Sequence, residues 1–139
     1  MVRQAGDSVT YFGGCFCRGV RYSVRGEASD LCFCHCNSCR RATGAIMVAW
    51  GTFAAKEFVV TSGSLAEVVS SPGVTRGHCA ACGSSMTYRH EARGSDIDVT
   101  LATLDDAAAF RPEMHIWVQD KLPWVAISDG LPQYEKVRG

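Results

Sequence analysis

Eight cysteines are the residues of this chain whose number and spacing most clearly point to chemistry. Half of them lie in the stretch CFCHCNSC, and the others form two separate pairs, CFC and CAAC. Disulfides require an oxidising compartment, and the N-terminal MVRQAGDSVT lacks the apolar core of a signal peptide. Cysteines spaced by two residues also pair with difficulty, whereas short spacings of this kind suit the thiolate ligands of zinc. We therefore predict metal binding rather than disulfides.

The two separate pairs predict a structural metal site, which we name the outer cluster: Cys15, Cys17, Cys79 and Cys82. Two chelating pairs can close a tetrahedral four-sulfur site, and a glycine directly after the second pair relieves backbone crowding near the metal. Because the pairs lie far apart in the sequence, the binding energy of the zinc becomes folding energy, on the order of 10 kcal/mol in small zinc peptides. Iron is a chemical alternative for this site, and buried free thiols are the alternative without a metal.

The central cluster, Cys34, Cys36 and Cys39, predicts a second zinc site with an open position. Cys39 falls on the first turn of a predicted helix, where the helix N-terminus favours thiolate over thiol. Three protein ligands leave the fourth tetrahedral position free, as catalytic zinc sites do. Cys32 is the alternative fourth ligand, since on an extended strand it shares a face with Cys34 and Cys36. We favour three ligands because so many short chelate rings in succession make tetrahedral geometry hard to reach.

Short alternating runs predict the mainly β scaffold that must position these cysteines. In VRYSV, for example, Val20, Tyr22 and Val24 share one face of a strand. Further strands are predicted at 46–50, 58–60, 65–69, 85–89, 97–104 and 115–118. One short helix is predicted over NSCRRATG, with Asn37 as N-cap and Gly44 as C-cap, and Asp105–Phe110 is a candidate single helical turn. The expected fold is of short strands, antiparallel by default, stapled by zinc, with one or two short helices.

Length and composition narrow the class of protein further. A chain of 139 residues is expected to form one domain over 1–139. The formal net charge is zero, from 14 basic and 14 acidic residues, which argues against a nucleic-acid-binding zinc ribbon. No apolar run approaches the ~18 residues of a spanning helix, so no membrane role is expected, and the default expectation is a cytoplasmic protein.

The sequence resembles the GFA family, the glutathione-dependent formaldehyde-activating enzyme family. The resemblance is carried by GGCFCRGVRY, CHCNSCRRATG, RGHCAACGSSM, TLATLDD, RPEMHIW and KLPW, in the order of the family and over most of the chain. It implies a β-tent fold, a structural zinc at the outer cluster and a catalytic zinc at the central cluster. Cys32 does not correspond to a ligand of the family.

The resemblance and the residues together suggest a function. Three thiolates on zinc leave the site with a net negative charge, which makes activation of water less natural than binding of an incoming thiol as thiolate. We therefore expect a carbon–sulfur lyase in which a small thiol, with glutathione as the candidate from the family, forms or breaks an S-hydroxymethyl adduct with formaldehyde. The alternative is a zinc-stapled binding module without catalysis. The oligomeric state is left open.

Several other residues have two interpretations at this point. Arg40 and Arg41 are candidates to bind substrate carboxylates, or they belong to a solvated helix face. Arg76 could pair with either zinc site, although a surface strand residue is the slightly preferred interpretation. For Asp105 and Asp106 a turn or helix cap is preferred, and for His115 and His35 simple packing is preferred to a role beside the central zinc. Trp50, Trp117 and Trp124 are expected in the core or in a pocket wall.

Overall fold

Ten β-strands and one α-helix form the regular part of residues 9–138, which are the residues described by the computed structural model. The strands are β1 Thr10–Gly14, β2 Arg21–Arg25, β3 Ser29–Cys34, β4 Val48–Ala54, β5 Phe58–Ser62, β6 Ala66–Ser71, β7 Val74–His78, β8 Ser85–His90, β9 Asp96–Thr100 and β10 Met114–Ile116. The helix α1 is Asn37–Thr43, and short 3₁₀ turns cover Ala55–Glu57, Glu91–Arg93, Leu101–Thr103, Ala107–Ala109 and Val118–Asp120. The mainly β fold predicted from the sequence is confirmed.

The strands form two sheets in this part of the chain. The smaller sheet has the order β1-β2-β5, and the larger one has the order β10-β3-β4-β9-β8-β7-β6. All pairings are antiparallel except that of β10 with β3, where Met114 lies beside Cys32 and Ile116 beside Cys34. Parallel strands need a long connection, and here most of the large sheet is built between β3 and β10. The expectation of antiparallel pairing was therefore wrong for this one pair.

The main core lies between the two sheets. Tyr22 and Val24 of β2 are buried there, as the alternation in VRYSV predicts, and they pack with Phe53 of β4 and Ile97 of β9. A second buried cluster contains three cysteines of the CFCHCNSC stretch together with Trp50 and Met114. The cysteines of that stretch are therefore supported by apolar packing as well as by any metal they hold.

The helix α1 begins and ends at residues with special roles. Its N-cap is Cys36, whose sulfur accepts a hydrogen bond from the backbone N–H of Cys39 at 3.2 Å. Asn37, predicted as the N-cap, is instead the first helical residue. Gly44 is the C-cap, as predicted, with φ of 72° in the left-handed region that glycine adopts without strain. A member of the central cluster therefore sets the start of the helix that carries another member.

Other boundaries differ from the sequence predictions. β1, β3 and β7 were not predicted, because their sequences TYFGG, SDLCFC and VTRGH are short and combine glycine, cysteine or charged residues with few β-branched ones. The strand predicted at 97–104 ends at Thr100, since the following residues Leu101–Thr103 form a 3₁₀ turn, within which the Thr103 hydroxyl donates to the carbonyl of Thr100. The predicted turn within Asp105–Phe110 is the 3₁₀ turn Ala107–Ala109. No helix in residues 9–138 is both long and apolar enough to cross a membrane. The organisation of 1–139 as one domain stays a prediction.

Candidate metal centres and the cavity beside them

The outer cluster comes together at one end of the two sheets. Cys15 and Cys17 lie in the turn after β1, and Cys79 and Cys82 lie in the turn between β7 and β8. Their four sulfurs all lie within 4.8 Å of one another, with 3.6 Å between Cys15 and Cys17 and 3.8 Å between Cys17 and Cys79. Sulfurs at the corners of a tetrahedron around zinc, with Zn–S bonds of about 2.3 Å, are about 3.8 Å apart. The separation of these sulfurs fits zinc.

Backbone and hydroxyl groups form hydrogen bonds with sulfurs of the outer cluster. The N–H of Val20 donates to the Cys15 sulfur at 3.2 Å, and the N–H of Cys82 donates to the Cys79 sulfur at 3.4 Å. Hydrogen bonding by Ser84, whose hydroxyl is 3.1 Å from the Cys82 sulfur, lowers the pKa of Cys82 to about 5. Gly83 has φ of 80°, which agrees with the need for glycine after the second pair. Metal ligands must be deprotonated, so these contacts prepare the site for a cation.

The central cluster is assembled at the junction of β3 and α1. Cys34 ends β3, Cys36 caps α1 and Cys39 lies in its first turn, and the three sulfurs lie within 4.8 Å of one another. Cys34 and Cys39 are buried and Cys36 is partly exposed. The side chain of Cys34 hydrogen-bonds Cys36 and lowers the pKa of the Cys36 thiol, while the same contact raises the pKa of Cys34. One thiolate is thus already favoured where three sulfurs converge, and this donor set fits zinc.

Cys32 lies outside the central cluster. It precedes Cys34 by two residues on β3 and lines the same cavity, so it does point to the same side. However, its sulfur is not among those within 4.8 Å of one another. Burial raises the pKa of Cys32 to about 12, because the site disfavours its charged form. The grouping of the sulfurs therefore favours three ligands over four.

Arg76 of β7 is the cationic group of the central cluster. It is buried, and both terminal nitrogens of its guanidinium lie near the Cys39 sulfur, at 3.7 and 3.8 Å. Its Nε donates to the Ser70 hydroxyl at 3.1 Å, and its guanidinium lies 5.0 Å from the ring centroid of Tyr88. The surface position preferred from the sequence was wrong, because β7 is an inner strand of the large sheet. Arg76 instead places a buried cation against a sulfur of the central cluster.

A cavity of about 750 Å³ opens beside the central cluster. All three of its cysteines line this cavity, which we call the site cavity. Three aromatic side chains, Trp50, Tyr88 and Trp117, form part of its wall, and the C-terminal residues Val137 and Arg138 also contribute. Two of the three tryptophans expected in the core or a pocket wall therefore line the cavity, whereas Trp124 is 70% exposed and does not. A small molecule can reach the face of the central cluster from here.

Behind the central cluster, two buried histidines form a hydrogen-bonded chain that the sequence did not reveal. His35 Nε2 lies 2.8 Å from His115 Nδ1, and His115 Nε2 lies 2.7 Å from the Asp129 carboxylate. Neither His35 nor His115 lines the site cavity, and both are buried. The packed position preferred for His115 from the sequence is therefore the one it has. Through its hydrogen bond to His35, His115 also supports the turn that carries Cys34 and Cys36. The hydrogen bond from His115 lowers the pKa of Asp129. The only sequence signal was a histidine in each of two motifs, and it gave no indication of their pairing.

The remaining candidate residues lie away from the site cavity. Arg40 donates hydrogen bonds to the backbone carbonyl of His35, at 3.3 Å, and to the side chain of Asn37. Arg41 is exposed. Neither arginine lines the site cavity. Their role in binding substrate carboxylates stays a prediction, which their position does not support. Asp105 forms an ion pair with Arg21, and Asp106 precedes the turn Ala107–Ala109 without a capping side-chain hydrogen bond. Neither aspartate lies near the central cluster.

A mainly β chain with two separate cysteine clusters, one of four sulfurs and one of three beside a cavity, defines a cysteine-rich protein whose two clusters could hold metal ions. A comparison with known protein families identifies the family to which the chain belongs. Residues 10–120 match the family described as glutathione-dependent formaldehyde-activating enzyme, and the chain belongs to this family.

Comparison with solved structures supports the fold. The crystal structure of a Rhodobacter sphaeroides protein matches with a TM-score of 0.57 and 21% sequence identity, over 88% of this chain and 98% of that chain. At this identity the match shows a shared fold alone. None of the curated proteins matches the chain.

Proposed function

We propose that this protein is a zinc-dependent carbon–sulfur lyase that joins a small thiol to formaldehyde, or splits the adduct, at the central cluster. The observation that carries the proposal is the convergence of three sulfurs beside the site cavity, with Cys32 outside the group. Membership of the formaldehyde-activating family supports the same reaction, and glutathione is the thiol that the family description names. The outer cluster has no position left for a substrate and would hold a structural zinc.

The three sulfurs of the central cluster leave room for a fourth ligand on the cavity side. A zinc ion held by them would supply a soft Lewis acid that stabilises an incoming thiol as thiolate. In the forward reaction the thiol loses its proton, its sulfur forms a bond to the carbonyl carbon, and the π electrons move to oxygen, which takes up a proton. The product is an S-hydroxymethyl thioether, and the reverse reaction breaks the same carbon–sulfur bond.

The residues of the chain have separate parts in this scheme. Arg76 keeps its guanidinium on the Cys39 sulfur and so limits the net negative charge that an arriving thiolate must meet. Trp50 and Tyr88 give the cavity an apolar wall, which strengthens electrostatic interactions inside it. The chain of His35, His115 and Asp129 keeps the ligand turn in place from behind.

The direct test follows adduct formation from glutathione and formaldehyde, with zinc-loaded protein. We expect acceleration over the uncatalysed rate and its loss in a Cys36→Ser variant that still holds the outer zinc. A zinc-loaded protein that gives no acceleration with glutathione or with smaller thiols would refute the proposal. The same preparation, analysed for bound metal, identifies the ion at each cluster and separates zinc from iron.

A zinc-stapled binding module without catalysis is the second candidate. Such a scaffold requires a closed central site with four protein sulfurs, and the position of Cys32 does not favour one. The cavity beside three sulfurs is the arrangement expected of an enzyme rather than of a closed structural site. We therefore place the enzyme first.

A further inference from the structure

The charged side chains of the site cavity suggest which thiol it takes. Within residues 9–138 the cavity is lined by three arginines, Arg76, Arg93 and Arg138, and by three aspartates, Asp30, Asp98 and Asp120. These charges cancel, so the sign of the cavity depends on the central cluster. Three thiolates around a divalent ion add one net negative charge. An anionic ligand therefore enters a cavity that is already negative.

Each arginine of the cavity is already engaged. Arg93 donates to the Asp98 carboxylate at 2.8 Å and lies 3.6 Å from Asp96. Arg138 lies 3.3 Å from Asp30, and Arg76 has both terminal nitrogens on the Cys39 sulfur. The charge of each arginine is thus already offset by a neighbouring anionic or sulfur group, so a carboxylate of the substrate gains less from it than from an unpaired cation. Glutathione brings two carboxylates and one ammonium group, so its net charge is negative, and Arg40 and Arg41, the other candidate cations, do not line the cavity.

Asp120 differs from the other charged residues of the cavity. Among those described for the cavity wall, it alone has no ion-pair or hydrogen-bonding partner for its side chain. It lies in the 3₁₀ turn Val118–Asp120, and its backbone N–H donates to the carbonyl of Trp117 at 3.0 Å. Asp120 is half-buried, so its carboxylate is not enclosed by the protein and can be reached from the cavity. It is therefore available to a cation that enters the cavity.

The aromatic wall next to Asp120 favours the same kind of ligand. Trp117 lines the cavity with its backbone at φ of 55°, in the left-handed region that a bulky residue rarely adopts. Trp50 lines the cavity as well, and cations are attracted to the faces of tryptophan rings. The face of Tyr88, in contrast, is already covered by Arg76. Trp50 is buried, whereas Trp117 is the N-cap of the turn that ends at Asp120. The indole of Trp117 and the unpaired carboxylate therefore belong to the same part of the cavity wall, which suits an ammonium group.

We propose that the thiol bound at the central cluster is an aminothiol, with its ammonium group received by Asp120 and the indole of Trp117, rather than the dicarboxylate glutathione. This inference rests on the proposed function and specifies its substrate class. The thiol occupies the open side of the central cluster, and the charge at the other end of the molecule decides its affinity. Asp120 is then the residue that determines specificity.

Three thiols of similar size and different terminal charge provide the test: cysteamine, 2-mercaptoethanol and 3-mercaptopropionate. Calorimetric titration of the zinc-loaded protein, without formaldehyde, measures their dissociation constants, corrected for the thiol pKa of each. We expect cysteamine to bind about tenfold more tightly than 2-mercaptoethanol, as one well-placed ion pair allows, and 3-mercaptopropionate and glutathione to bind more weakly than both. In Asp120→Asn the advantage of cysteamine should fall to about twofold or less, with the affinity for 2-mercaptoethanol unchanged.

Asp106→Asn is the matched control, because Asp106 is exposed and lies outside the cavity. It should leave all four affinities as they are. Tighter binding of glutathione or 3-mercaptopropionate than of cysteamine would overturn the aminothiol proposal and leave the proposed function standing. If Asp120→Asn still prefers cysteamine as strongly as the wild type does, Asp120 does not bind the ammonium group and the proposed role of Asp120 is wrong. If none of the four thiols binds to zinc-loaded protein, the proposed function itself fails, and the aminothiol proposal fails with it.

Discussion

Replacing Arg76 by methionine should weaken metal binding at the central cluster and leave the outer cluster as it is. Methionine keeps much of the apolar stem of arginine and removes its charge. The guanidinium nitrogens are 3.7 and 3.8 Å from the Cys39 sulfur, and Arg76 is 5% exposed. A buried metal–thiolate group with a net negative charge depends on such a counter-charge, because little water reaches it.

The size of the effect can be worked from this distance. Two unit charges about 3.7 Å apart interact by about 4 kcal/mol at an effective dielectric constant of about 20. Part of this is recovered in the variant, since water in the site cavity can approach the thiolates. We expect a net loss of about 1.5–3 kcal/mol, the range of a hydrogen bond to a charged group, which corresponds to about 10- to 100-fold weaker zinc binding.

The assay is a titration of the zinc-loaded protein with a chromophoric chelator that competes for zinc. The absorbance of the chelator measures how much zinc is released, and the more weakly bound of the two zinc ions is released first. The outer cluster is the internal reference, because Arg76 does not contact its sulfurs. Arg76→Lys keeps the charge and should lose less affinity than Arg76→Met. Arg89→Met is the matched control, as Arg89 lies on the neighbouring strand β8, beside Thr75, and does not line the site cavity. Equal weakening of both zincs, or of neither, would refute the reasoning.

The remaining predictions concern single residues. Cys32→Ser should retain two zincs by metal analysis, and loss of one would make Cys32 a ligand. Cys79→Ser should lose the outer zinc and lower the thermal midpoint strongly, because the outer cluster joins the β1–β2 and β7–β8 turns; an unchanged midpoint would deny it a structural role. Burial raises the pKa of Tyr22 from 10.0 to about 12, so the folded state binds the phenolic proton more tightly than the unfolded state does. The free energy of unfolding should therefore fall by roughly 2–3 kcal/mol as pH rises from about 10 to about 12. Urea titrations of Tyr22→Phe should show a smaller alkaline loss than the wild type, and an equal loss would contradict this.

The two cysteine clusters could be predicted from the sequence because short chelating spacings are local. Cys34, Cys36 and Cys39 are brought together by one strand end and one helical turn, and both are encoded within a few residues. The outer cluster requires only that two such pairs meet. The N-cap of α1 was predicted wrongly because asparagine is a common capping residue. In the structure the sulfur of Cys36 accepts the capping hydrogen bond instead. A cysteine that caps a helix through its sulfur cannot be recognised from capping preferences.

The surroundings of the clusters could not be predicted, since they depend on contacts between distant parts of the chain. Arg76 of β7 contacts Cys39 of α1 although β7 is four strands away from β3 in the large sheet, and nothing in VTRGH indicates this approach. The parallel pairing of β10 with β3 likewise joins parts of the chain that lie far apart in the sequence. Asp120 is one acidic residue among fourteen in the sequence, and only the structure shows that its neighbours in the cavity are paired while it is not.

The chain of His35, His115 and Asp129 explains why the ligand turn keeps its shape. Because Asp129 accepts from His115 Nε2, the proton of a neutral His115 ring is on that nitrogen, and Nδ1 must accept from His35 Nε2. His35 Nδ1 is then a bare acceptor, which agrees with its lack of any partner in the described structure. Asp129 lies beyond residues 10–120, the part matched to the family, and it belongs to the segment whose backbone bonds β10 at His115. A C-terminal segment of this chain therefore orients, through two imidazole rings, the residue between Cys34 and Cys36 of the central cluster.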